Sequence, residues 1–327
     1  MDRVSTVESG AIPEQPASDK LHQVIEEIRA RAMPNPDGFF NSGTTHFYVK
    51  RPAPSGRVMI DWPESTYDPM KRRCYNFLTG VYPMRYIEGK PETSRLLNML
   101  KDPRRNESLQ ENLGRLANIK VVGPGGGFFW AFSRQVELPQ GRHNDQGRVY
   151  LNPLPQQGHR VFWELAKLLN DTQIPFQLKM LDYDGTQDAL NLNRADKMVL
   201  YFDAAHQADV LTMIRKLYET VQPRSFEEGT PKLAAQLKGS DGVLLRGIAF
   251  GQSPSPDIEG NNSFNNLREE VINDVYEIHH IPPDSRNFEL MVRAKFREFK
   301  IDPKNPAFNY PPENGIKLFA LIAANSN

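Results

Sequence analysis

The sequence holds a single cysteine, Cys74, among its 327 residues. One thiol can form no internal disulfide and no cysteine-rich metal site. Beside Tyr75 and Phe77, Cys74 reads as a packed core residue rather than a nucleophile. No run of about 18 apolar residues occurs, which excludes a transmembrane helix. The opening MDRVSTVESG lacks the basic-then-apolar order of a secretory signal, so a cytoplasmic location is expected. Excess charge is missing as well, because 40 basic and 40 acidic residues cancel. Chains that bind nucleic acid normally carry a basic surplus, so neither nucleic acid nor a membrane is expected as a partner. HExxH and GxSxG are absent, and the carboxylates do not cluster at metal-ligand spacing. No metal and no cofactor is expected. GPGGGF at 123–128 precedes an aromatic strand rather than a helix and has no GKS or GKT after it. It is a tight turn, not a phosphate loop.

What is present organises a globular chain. Residues 1–17 are rich in Ser, Pro and Glu and read as a loose tail. Leu21, Val24, Ile25 and Ile28 recur at helical spacing until Pro34. THFYVK alternates like a strand, with VMIDW as its hairpin partner. Asp68 and Pro69 open a further helix, and two short helices fit 92–101 and 106–117. Residues 18–115 thus read as a mainly helical N-terminal subdomain, and 116–327 as an α+β domain. In the latter, FFWAFS, GRVYLN, PFQLKML and KMVLYF are strands. HRVFWELAKLL and AAHQADVLTMIRKLYETV are amphipathic helices. That order predicts a largely antiparallel sheet with helices over one face. The segment 223–262, broken by Gly and Pro, reads as irregular, and helices resume at 264–280 and 285–299.

Two polar sets stand out. His46, Tyr48 and Lys50 share one face of a strand by its two-residue period, as do Arg148, Tyr150 and Asn152 on GRVYLN. Taken alone, either set is equally a solvent-facing strand side. Neighbouring strands carry Lys179 and Tyr201, with Arg194 and Lys197 leading into the second. If these strands pair, several cations and phenols converge. A phosphate dianion needs such convergence, since Arg offers a planar fork and Lys a point charge. Arg246 and Arg268 are candidates to close the site.

The segment GRVYLNPLPQQGHRVFWELAKLLNDTQIPFQLKML, followed by RADKMVLYFD, resembles the HopA-type type III effector family. The resemblance covers about 116–270 and, more loosely, FYVK and RRCYNFLTGVYP. Similar domains act as lyase components in class V lanthipeptide and thioviridamide-like peptide pathways, beside a kinase-like partner. The resemblance therefore implies elimination of phosphate from phosphoserine or phosphothreonine in a precursor peptide, giving dehydroalanine or dehydrobutyrine. A more distant likeness to bacterial phosphothreonine lyases makes Lys179 and Arg194 phosphate ligands. Arg148 and Tyr150 stand where that group has a catalytic lysine and histidine. Arginine stays protonated and is a poor base, so Lys50 or His46 is expected as the base. His46 or Tyr150 is expected as the acid, and Asn152 as a donor to the enolate-like carbonyl. Arg148, Lys179, Arg194, Lys197, Arg246 and Arg268 are expected around the phosphate. Two rival readings remain: a non-catalytic partner that docks a peptide or kinase, and a host-directed effector.

Overall fold

A computed structural model describes residues 19–32, 50–52, 58–60, 72–81, 85–125, 127–134, 146–183, 188–254, 258–259, 263–277 and 283–309. Its centre is a seven-stranded sheet in the order β3-β4-β6-β7-β5-β9-β8. The strands are β3 (Ile119–Gly125), β4 (Phe128–Ser133), β5 (Gln146–Leu151), β6 (Phe176–Leu181), β7 (Met198–Asp203), β8 (Ala235–Lys238) and β9 (Leu244–Gln252). Every neighbouring pair is antiparallel. The expected α+β class with a largely antiparallel sheet is therefore what forms.

Alternation along β5 sorts its side chains. Val149 and Leu151 enter one core, and Tyr150 enters another on the opposite face. The first face is covered by α4 (Pro103–Gly114), α5 (Gly158–Asn170) and α7 (Gln207–Val221). On α5 the buried Val161, Phe162, Leu165, Ala166 and Leu169 make one apolar stripe. Phe162 meets Phe129 edge to face at 5.5 Å between ring centres. Burying one such ring contributes about 2–3 kcal/mol.

The second face carries a helical layer of its own. It comprises α1 (Lys20–Ala32), α2 (Arg72–Leu78), α8 (Phe264–Glu277) and α9 (Arg286–Glu298). Their buried residues pack with Tyr150, Val199 and Ala249 of the sheet, and Cys74 lies in this core. Gly251 makes close docking of α8 possible: a Cβ there would meet the Phe264 ring at 2.7 Å. The remaining short helices are α3 (Pro91–Leu100) and α6 (Asp188–Leu192).

Two expectations need correction. Ile119–Gly125 is a strand, β3, where only a turn feeding β4 was anticipated; the glycine run is the hairpin turn between them. The segment 223–262 is not irregular throughout, because it supplies β8 and β9. Gly247, at φ +68°, interrupts the alternation of β9 and masks it in the sequence. Of the anticipated hairpin, 45–49 and 61–62 lie outside the described residues; β1 (Lys50–Pro52) runs antiparallel to β2 (Val58–Ile60), and β10 (Ile258–Glu259) adds in parallel to β2.

Candidate functional site

Register places the polar residues of three central strands on the second face. Arg148 of β5 stands opposite Tyr201 of β7, and Lys179 of β6 opposite Val199. The alternation that buries Tyr150, Val199 and Ala249 in the second core puts Arg148, Lys179 and Tyr201 on their side of the sheet.

Tyr201 is the meeting point. The Arg148 guanidinium lies 5.0 Å from its ring centre and the Lys179 ammonium 5.5 Å. Lys179 is boxed further by Phe128 at 4.4 Å and Trp130 at 5.6 Å, a cation–π arrangement that holds it without a carboxylate. Arg148 is buried and donates through Nε to Ser253 Oγ at 2.9 Å. Burial alone would raise the Tyr201 phenol. Lys179 and Arg148, with a hydrogen bond from Lys179, outweigh burial and bring its pKa below the usual phenol value.

Arg194 adjoins this group. Its Nε and Nη2 both bond the Asp196 carboxylate at 2.8 Å, and Nη2 also donates to Tyr75 Oη at 3.0 Å. Burial works against its charge, but Asp196 and Tyr75 more than compensate and tighten its hold on the proton. Burial raises the Tyr75 phenol despite the opposing pull of Arg194.

A second polar cluster lies farther along the same face. Lys197 Nζ donates to Glu227 Oε2 at 2.7 Å and Asn152 Oδ1 at 2.5 Å. Glu227 Oε1 accepts from Tyr86 Oη at 2.6 Å and, more weakly, from Arg85 at 3.5 Å. Burial pulls the Lys197 ammonium below the ordinary lysine value, and Glu227 opposes that pull.

The structure thus brings Arg148 and Lys179 together on Tyr201, holds Arg194 on Asp196 and Tyr75 beside them, and places Lys197 and Asn152 in the adjoining cluster. Asn152 has both donor contacts taken by the Glu228 and Gly229 carbonyls, at 3.1 Å each. Tyr150 is buried beneath Phe264, whose ring centre is 5.6 Å away, and its hydroxyl has no hydrogen-bond partner among the described residues. Arg246 is not drawn in: its exposed guanidinium sits 3.7 Å from Glu228. Arg268 is fully buried and bonds the carbonyls of Pro306 and Phe264. Burial, with repulsion from Arg148, outweighs the pull of Tyr150 and weakens its hold on the proton. His46 lies outside the described residues, and so does the side chain of Lys50, although its backbone forms β1.

Sequence reasoning passed over Tyr75, Tyr86, Asp196 and Glu227 as site residues, and gave Tyr201 no role. The period of KMVLYF does align Tyr201 with Lys197 and Val199. Glu227 sits in the segment read as irregular and gave no signal. Among the described residues, His22, Glu26 and Glu289 also bring ligand atoms within 4.8 Å of one another. Arg29 and Arg293 already bond Glu26 and Glu289, which disfavours an added cation. No helix among the described residues is long and apolar enough to cross a membrane.

The family model described as the HopA1 effector protein family matches residues 125–308, more than half of the chain. The chain belongs to that family. Two solved structures are similar to this HopA1 family member. An effector protein from Pseudomonas syringae pv. tomato strain DC3000 is 18% identical, with a TM-score of 0.46, covering 75% of this chain and 92% of its own. An effector protein from Pseudomonas syringae pv. syringae strain 61 is 16% identical, with a TM-score of 0.45, covering 90% and 99%. No curated protein matches the chain. The matched span holds Arg148, Lys179, Arg194, Lys197, Tyr201 and Glu227; Tyr75 and Tyr86 lie before it.

Proposed function

We propose that this HopA1 family member eliminates phosphate from phosphoserine or phosphothreonine in a peptide. The observation that carries this reading is the meeting of Arg148 and Lys179, from different strands, on the Tyr201 ring. With the neighbouring Arg194 they supply three cations, and among the described residues the carboxylate that they bond is Asp196, on Arg194. Such a surplus suits a phosphate dianion.

In the reaction a base takes the proton from Cα, the double bond forms to Cβ, and the Cβ–O bond breaks. Its electron pair leaves with the phosphate. Arg148, Lys179 and Arg194 neutralise the departing group. Tyr201 fits the proton-accepting role, because its two cations favour phenolate. In this role it competes with Lys50 and His46 as the base, while Tyr150, the expected acid, lies covered by Phe264. Lys197 and Asn152 hold the adjoining end of the face. No water attacks, so the scheme calls for no metal hydroxide. A kinase-like protein supplying the phosphopeptide is the proposed partner, in either a biosynthetic or an effector setting.

The test is incubation with a phosphorylated peptide, followed by mass spectrometry and trapping of the product with a thiol. Loss of phosphoric acid with a thiol-reactive alkene is the expected result. Tyr201→Phe should slow it by about 10²–10⁴-fold. Restoration of a hydroxyl would replace the lyase by a phosphatase. Tight binding without any mass change would leave a docking module, the reading that the ready-made Arg194–Asp196 pair favours. Normal elimination by Tyr201→Phe alongside loss in Lys50→Ala would return the base to Lys50.

A further inference from the structure

A cavity of about 460 Å³ opens on the side of the molecule away from Tyr201, between the first turns of α4 and α5. Its walls include Arg104, Arg105, Asn112, His159, Arg160 and Trp163. Arg104 is committed to Asp102, with Nε and Nη2 at 3.0 and 2.9 Å from the carboxylate. Arg105 and Arg160 have no carboxylate partner among the described residues; Arg105 reaches only the Met99 carbonyl, at 3.5 Å. Two uncompensated guanidiniums therefore face one small volume. The potential registers on a neighbour: burial, and then repulsion from Arg105, bring His159 down to about 4. His159 is consequently a neutral imidazole at pH 7, able to donate or accept a hydrogen bond.

Two unpaired guanidiniums match a dianion, and Trp163, Leu109 and Asn112 can receive an organic body beside it. A cavity of this size lies within the range of small-molecule sites. We infer that the α4–α5 cavity binds a small phosphate monoester, through Arg105 and Arg160, at a site separate from the sheet face. The ester can be a free metabolite or a phosphorylated side chain, and the two share the same recognition chemistry.

The full-length chain is titrated calorimetrically with AMP, with O-phosphoserine and with adenosine. The His159 C2 proton is followed by NMR across pH in parallel. Binding of at least one phosphate ester, with none of adenosine, is the expected result. Arg105→Gln and Arg160→Gln should each weaken it by about ten-fold or more. AMP binding over O-phosphoserine assigns a metabolite, and the converse a side chain. A bound ester, monoanionic where His159 titrates, should also move that titration to higher pH. Guanidiniums stay charged throughout, and the parallel titration with adenosine controls for the Asp102 carboxylate, so the movement reports the phosphate. Both arginines are at the surface rim, so circular dichroism of the variants should match the parent. Equal affinity of parent and variants, equal binding of adenosine, or a His159 titration unmoved by either ester would overturn the inference. Elimination at the sheet face should persist in both variants, so the two sites stand or fall separately.

Discussion

The Lys197–Glu227 pair offers the sharpest test of how the sheet face is held. Lys197 is 1% exposed, and among the described residues the carboxylate it bonds is Glu227, at 2.7 Å. At an effective dielectric of about 20, attraction at that separation is roughly 6 kcal/mol before desolvation is set against it. Desolvating both ions offsets much of that, so the intact pair contributes little net stability. Breaking it is different. Glu227→Gln strands a buried ammonium among neutral acceptors, at a cost of about 3–5 kcal/mol. With an unfolding entropy of about 2 cal/mol/K per residue, melting should fall by roughly 4–7 °C.

The pH dependence fixes the cause. The folded-state pKa of Lys197 already lies below 10.5. Below that folded value both states hold the proton, and the full burial cost is present. Above it the unfolded chain binds more protons than the folded one, so stability rises with pH toward 10.5. Glu227→Gln removes an interaction that raises this pKa, so the window extends to lower pH. The deficit of the variant should therefore shrink between neutral and alkaline pH, read by urea denaturation at each pH. Lys197→Met combined with Glu227→Gln should recover part of the loss, because no ion is left buried alone. A deficit below about 1 kcal/mol, or one unchanged with pH, would refute the reasoning.

Gly247→Ala should destabilise by at least about 2 kcal/mol in the same assay, since φ is +68° and the new Cβ would lie 2.4 Å from the Glu227 carbonyl. Hydrogen bonding to Glu289, with its charge, raises the His22 pKa. What His22 contributes to docking α1 on α9 is thus complete below the unfolded value near 6.5 and fades as pH rises through the folded value; NMR titration should show the raised pKa, and Glu289→Gln should abolish it. Asp196→Asn should release Arg194 and strengthen phosphopeptide binding while lowering the melting temperature. Unchanged affinity in calorimetry would mean that Arg194 does not meet the phosphate.

How much of this was legible depended on the range of the interactions. Helical periodicity is local, so Leu21, Val24, Ile25 and Ile28 announced α1, and Val161 to Leu169 announced α5. Alternation announced β5, β6 and β7 and grouped Arg148 with Tyr150 and Asn152. Strand order is not local, and the contact of Lys179 with Tyr201 exists only because β6 and β7 pair in one register. Glu227 was hidden for a related reason. It reaches Lys197 because Gly247 lets the Glu227 backbone approach β9, and the same glycine breaks the pattern that would have revealed that strand. Arg246 and Arg268 show the converse limit: both are cations near the sheet in sequence, yet one faces solvent and the other is sealed on the buried side of its own helix, α8.

Charge balance distinguishes the two polar clusters on the second face. Around Lys197, the buried ammonium is matched directly by Glu227, with a phenol and an amide completing the bonds, and the added cation, Arg85, is exposed and only weakly engaged. On Tyr201, Arg148 and Lys179 are held by aromatic faces and a hydroxyl, while the neighbouring Arg194 is the cation that takes the Asp196 carboxylate. Aromatic rings hold a cation without cancelling its charge. That is what a phosphate seat requires, because a carboxylate partner must first be displaced, whereas a ring need only be shared. The same cations favour the Tyr201 phenolate, so one arrangement serves both leaving group and base. Binding of the peptide's phosphate would screen those cations and return the phenol toward its ordinary pKa, so the pH dependence of elimination should lie above the titration of Tyr201 in the free protein.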